Sequence, residues 1–132
     1  MWLFTRYGFF SVCRAHKLPA RKYPVPDPKG YFMVRARCYE HLESLCSAFT
    51  VLHHVPILTS TKTDYPYRIV VHRDAWMDVA GKLALEVDYV NFKEECHKAR
   101  PKDVAYHEAL MRVWALLRWI DPSFKEQERG NF

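Results

Sequence analysis

Hydrophobic and polar positions alternate, then recur at helical spacing, then alternate again along this chain. Residues 2 to 13 are dominated by aromatic and β-branched side chains, which predicts β structure, with Gly8 supplying a bend or hairpin turn. Residues 14–30 read as a loop, because Pro19, Pro24, Pro26 and Pro28 deny it regular hydrogen bonding. Tyr31 to Arg37 has a period of two. Phe32, Val34 and Ala36 share one face, and Met33, Arg35 and Arg37 share the other. From Tyr39 to Phe49 the period becomes helical, with Leu42, Leu45, Cys46 and Phe49 on one side. A short strand is expected near Ile57 to Thr61, and a turn at Thr63-Asp64-Tyr65-Pro66. Tyr67 to His72 is a further strand, with Ile69 and Val71 on one face and Arg68 and His72 on the other. Asp74 opens a helix whose stripe is Trp76, Val79, Ala80, Leu83 and Val87. After a break at Asp88 to Asn91, Asn91 with Glu94 has the spacing of a capping box for a short helix ended by Pro101. A last helix runs from about Asp103 to Ile120, with Tyr106, Leu110, Val113, Trp114 and Leu117 at core spacing.

This order predicts an α+β fold. Its β-α-β-β-α centre is most of a ferredoxin-like unit, and the N-terminal strand can stand, as in a permuted form, where the final strand is missing. The expected result is an antiparallel sheet with helices on one face and extra C-terminal helices. The other face of the sheet could remain open. With 132 residues and 49% hydrophobic content, the chain is expected to form one α+β domain over residues 1–121, followed by a flexible tail over 122–132.

Charge changes this picture in one place. The net charge is +5, and all of it sits before Asp27, in Arg6, Arg14, Lys17, Arg21 and Lys22. From Asp27 onward acids and bases cancel. The aromatic run Trp2, Phe4, Tyr7, Phe9 and Phe10 lies in the same segment, and cations beside flat rings suit phosphates and bases. The longest uncharged apolar stretch falls far short of the roughly 20 residues of a membrane helix, and no cleavage-site pattern follows the N-terminus. Four dispersed cysteines without a C-x-x-C pair are expected to be free thiols in a reducing cytoplasm.

No phosphate loop, dinucleotide fingerprint, nucleophile elbow or metal-binding motif is present, so the sequence implies neither cofactor nor metal. The strongest chemistry is a constellation. If the apolar residues of each strand face the helices, Arg35, Arg37, Arg68 and His72 share the opposite face with Phe9 and Ser11. Guanidinium forks pair with phosphate in bidentate fashion, and rings stack on bases. The competing reading is that these arginines pair with Asp64 or Asp88, or lie beneath the C-terminal helix. A weaker arrangement would set Asp64, His72 and Asp88 near Arg68 as acid–base groups of an enzyme acting on a phosphorylated or nucleotide substrate.

Trp2-Leu3-Phe4-Thr5-Arg6-Tyr7-Gly8-Phe9-Phe10-Ser11, Arg35-Ala36-Arg37, Asp64-Tyr65-Pro66-Tyr67-Arg68-Ile69 and Asp88-Tyr89-Val90-Asn91-Phe92-Lys93 together resemble the landmark segments of a small uncharacterised family of bacterial and phage proteins. That resemblance transfers no catalytic residues. It implies a prokaryotic protein, and a phage-type accessory or anti-defence role through protein–protein contact.

The expectation from the residues themselves is a small non-catalytic binding protein for nucleic acid or a nucleotide. Arg35, Arg37 and Arg68 would contact phosphates, Tyr7 or Phe9 would stack, and His72 would lie nearby. Lys17, Arg21 and Lys22 would add salt-sensitive attraction. A protein partner or a homodimer through the aromatic face is the alternative.

Overall fold

The aromatic N-terminus folds as a hairpin of β1 (Trp2–Thr5) and β2 (Gly8–Arg14), joined by Arg6 and Tyr7. Gly8 is required here for two reasons. Its φ is +138°, and a Cβ on it would overlap the His41 ring. The computed structural model describes residues 1–16, 28–124 and 130. Lys17, Arg21 and Lys22 lie outside them, as do most of the loop expected over 14–30 and most of the tail. The chain forms two compact units, Met1–Val90 and Asn91–Phe132.

In the first unit, Pro28–Gly30 makes a 3-10 turn into β3 (Tyr31–Ala36). Then come α1 (Tyr39–Ala48), a two-residue β4 (Leu58–Thr59), β5 (Tyr67–His72) and α2 (Arg73–Leu85). The sheet has the order β1-β2-β3-β5-β4, and every neighbouring pair is antiparallel. The fold is α+β, as the alternating periods predict.

Register explains the core. Val12 pairs with Val34, and Val34 with Ile69, so these residues point to one face. There they bury with Phe10, Ala36 and Val71 against Leu42, Leu45 and Phe49, and against Trp76 and Val79 of α2. Fully burying each large apolar side chain contributes about 1.5–3 kcal/mol. His41 is also buried on this side, and its Nδ1 accepts a hydrogen bond from the Phe9 N–H at 3.3 Å. The sequence pattern did not mark it as interior. Val87, expected in the stripe of α2, is exposed because the helix ends at Leu85.

The second unit contains α3 (Phe92–Ala99) and α4 (Val104–Leu117), then a 3-10 turn at Arg118–Ile120. Asn91 caps α3 through its side chain and the Glu94 N–H, at 3.1 Å. Asp103 caps α4 through the Tyr106 N–H and also takes an ion pair from Arg100 at 2.8 Å. Tyr106 and Leu110 are buried as their spacing predicts. Trp114 and Leu117 are exposed instead, with Lys93 and Arg118 lying over the Trp114 ring at 4.8 and 4.3 Å.

Candidate functional site

The alternation that sends Val34 and Ile69 toward the helices sends Arg35 and Arg68 to the second face of the sheet. The pairings Trp2 with Ser11, Ser11 with Arg35, Arg35 with Arg68 and Arg68 with Leu58 place these residues in one row across all five strands. Two guanidiniums are therefore direct cross-strand neighbours, an arrangement that is unfavourable on its own.

Each arginine is held by neutral oxygen acceptors. Arg35 Nη2 donates to Ser11 Oγ at 2.8 Å. Arg68 Nη2 donates to Thr63 Oγ1 at 2.8 Å and to the Tyr65 carbonyl at 3.0 Å. The Nε atoms of both arginines are buried without a hydrogen-bond partner. A buried donor left unmade costs about 1–3 kcal/mol. The Tyr65 ring carries the Arg35 guanidinium at 4.8 Å and that of Arg37 at 5.2 Å. Among the described residues, none of the three arginines makes an ion pair with a carboxylate. Burial, and then the neighbouring charge of Arg35, push the Arg68 guanidinium below its usual pKa. It still carries its charge at neutral pH.

A group of rings borders this row. Phe9 stacks on Phe4 at 4.7 Å, meets Trp2 edge-on at 5.8 Å, and lies 6.3 Å from Tyr65. Trp2 is the exposed member, at 68%. Elsewhere on this face Ser11 and Met33 are buried, Arg35, Arg68 and Tyr65 are half-buried, and Arg37 and Thr63 are exposed. The site thus joins Arg35, Arg37, Arg68, Phe9 and Ser11, which the alternation predicts. It adds Thr63, Tyr65 and Trp2, which sequence reasoning treated as turn and strand residues. A turn that immediately precedes the strand of Arg68 folds back over that strand, and this is the signal that could have found Tyr65.

Other expected residues lie elsewhere. Tyr7 is on the helix side, edge-on to Phe49, with its hydroxyl donating to Glu86 Oε2 at 2.8 Å. His72 shares the face of Arg68 but is four residues along β5, about 13 Å away at strand rise. Its Nδ1 accepts the Asp74 N–H and so caps α2. Asp88 approaches Arg6 at 3.9 Å and Asp64 is exposed. The three acid–base groups expected near Arg68 therefore do not converge.

Among the described residues, no three His, Cys, Asp or Glu side chains come together to hold a metal. No helix there is long and apolar enough to cross a membrane. The four cysteines are free, and burial pushes the Cys46 and Cys96 thiols up to about 11, which keeps them protonated and poorly nucleophilic at neutral pH. No family model matches the chain, and neither a curated protein nor a solved structure matches it.

Proposed function

We propose that this is a small non-catalytic binding protein that holds a nucleotide on the second face of its sheet. The observation that carries this reading is the Arg35–Arg68 pair. Two part-buried guanidiniums face each other across neighbouring strands and, among the described residues, their Nε–H groups have no partner and no carboxylate pairs with them. A phosphate supplies both missing elements, negative charge and several acceptor oxygens. Arg37 adds a third cation at the Tyr65 edge, and the rings of Trp2, Phe9 and Tyr65 offer a surface for a base. The partial burial of Arg35 and Arg68, beside buried Ser11 and Met33, favours a compact ligand over a polynucleotide, which needs an open face along which to run. We read the order β2-β3-β5-β4 as a permuted ferredoxin-like arrangement, with β2 in the place of the final strand.

Titration calorimetry with ADP at low salt tests this. Replacing Arg35 and Arg68 together by Gln should weaken binding by about thirtyfold or more, or about 2 kcal/mol. Inorganic phosphate should compete. If a single-stranded oligonucleotide binds instead, with steep salt dependence, the ligand is nucleic acid. If none of these ligands binds, or the double variant binds them unchanged, the assignment falls.

A further inference from the structure

The turn that folds over the arginine row carries a hydroxyl with chemistry of its own. Ser60 to Pro66 is closed by its backbone, the Ser60 N–H donating to the Pro66 carbonyl at 2.7 Å. Within it, Thr63 Oγ1 accepts from Arg68 Nη2 at 2.8 Å. The single Thr63 hydroxyl proton is left for the Tyr65 carbonyl at 2.9 Å or the Ser60 carbonyl at 3.2 Å. Arg68 pairs with Arg35 across the strands, and the Arg35 guanidinium lies on the ring of Tyr65, two residues beyond Thr63.

Two hydroxyls accept from this pair of arginines, and accessibility separates them. Ser11 Oγ takes Arg35 Nη2 at 2.8 Å but is buried. Thr63 is exposed, in an irregular turn outside any helix or strand, where a modifying enzyme can reach it. Its neighbours Lys62 and Asp64 are exposed as well and cancel in charge.

We infer that Thr63 is a phosphorylation site and that its phosphate closes the anion site from within. This rests on the reading of the arginine row as an anion site. A protein kinase transfers the γ-phosphoryl group of ATP. The bond from that phosphorus to the β,γ-bridging oxygen breaks, the Thr63 Oγ1–P bond forms, the hydroxyl proton passes to solvent and ADP leaves. The product carries about −1.5 to −2 charge at neutral pH and three acceptor oxygens. The phosphorus is bonded to the atom that Arg68 already holds, so the chain need not rearrange for the phosphate to meet that guanidinium. It supplies the negative charge that Arg35 and Arg68 lack among the described residues, in charge-assisted hydrogen bonds. The lost Thr63 proton removes one hydrogen bond to a carbonyl, while the bond from Ser60 to Pro66 keeps the turn closed. A tethered phosphate is an intramolecular ligand, so it competes at high effective concentration with a free nucleotide for the same cations.

The whole chain with phosphothreonine genetically encoded at position 63 tests this, by phosphorus NMR, thermal unfolding and calorimetry. The phosphate should titrate at a pH at least about 0.5 below the value of about 6 usual for a phosphothreonine, because the guanidiniums favour its dianion. The thermal midpoint should rise by about 3 °C or more relative to unmodified protein. Both effects should vanish when Arg35 and Arg68 are replaced together by Gln. ADP should bind the phosphorylated protein at least about tenfold more weakly than the unmodified one. A usual titration with an unchanged or lower midpoint overturns the inference. So do effects that survive loss of both arginines, or an ADP affinity that the phosphate leaves unchanged. If unmodified protein binds no ADP, the nucleotide reading falls by itself, and the titration and the midpoint still decide whether the phosphate seats on the arginines.

Discussion

Two arginine environments in the first unit are chemically opposite. At the hairpin corner, Arg6 is met by Glu86 at 3.2 Å and Asp88 at 3.9 Å, and Glu86 also accepts the Tyr7 hydroxyl. On the second sheet face, Arg35 and Arg68 meet, among the described residues, two hydroxyls, a carbonyl, a ring and each other. The corner is complete without a ligand. The row on the sheet is not, because its charge has no balance in the described structure. A cation whose partners are all internal serves the fold. One held in place by neutral groups, with its charge uncompensated, is suited to an external anion.

The corner should therefore be where substitution damages stability most. Gly8→Ala introduces a side chain at φ +138° and pushes a Cβ into the His41 ring. The expected loss is about 3 kcal/mol or more in denaturant unfolding. Adding His41→Ala should recover the overlap component and leave the backbone component. A Gly8→Ala protein of wild-type stability would show that the corner does not hold the hairpin. A milder test is Glu86→Gln, which removes the charge on which Arg6 and Tyr7 converge. It should cost about 1–2 kcal/mol, since the pair is only partly buried.

The row should respond with the other sign. Arg68→Met removes a part-buried cation that faces Arg35, together with its unpartnered Nε. Unliganded stability should stay within about 0.5 kcal/mol of wild type or rise, because replacing poorly compensated buried charge by apolar surface is commonly neutral or better. A clear loss of stability would place Arg68 with Arg6 as a structural residue, and would erase the contrast between the two environments.

Local periodicity makes much of this arrangement legible in the sequence. Period two in Tyr31 to Arg37 and in Tyr67 to His72 assigns Val34 and Ile69 to the core and Arg35 and Arg68 to the far face. Asn91 announces its own helix because a cap is a local contact. What stayed hidden depends on register and on distant approach. That Arg35 and Arg68 are direct neighbours follows from strand pairing, which periodicity does not specify. Tyr7 follows Arg6 in sequence, yet its environment is set by Glu86, 79 residues away. The burial of His41 likewise comes from the bare backbone of Gly8 across the hairpin, a non-local accommodation with no sequence period.

Alkaline titration gives the smallest effect, and it separates the two environments by sign. Burial first, and then the hydrogen bond to Glu86, raise the Tyr7 phenol above its usual 10. The folded protein therefore keeps this proton at a pH where the unfolded chain has released it. The resulting stabilisation is fully present below pH 10 and is lost as pH rises through the higher folded value. Arg68 behaves oppositely, because its lowered value makes the folded state release a proton more readily than the unfolded chain. Its destabilising contribution fades only as pH climbs toward the usual arginine range. The two groups therefore bend the alkaline limb of the stability curve in opposite senses. Tyr7→Phe should flatten the alkaline fall in unfolding free energy above pH 10, whereas Arg68→Met, which removes an opposing rise, should steepen it. An equal slope in wild type and Tyr7→Phe would mean that the corner does not hold the phenol against Glu86 in solution.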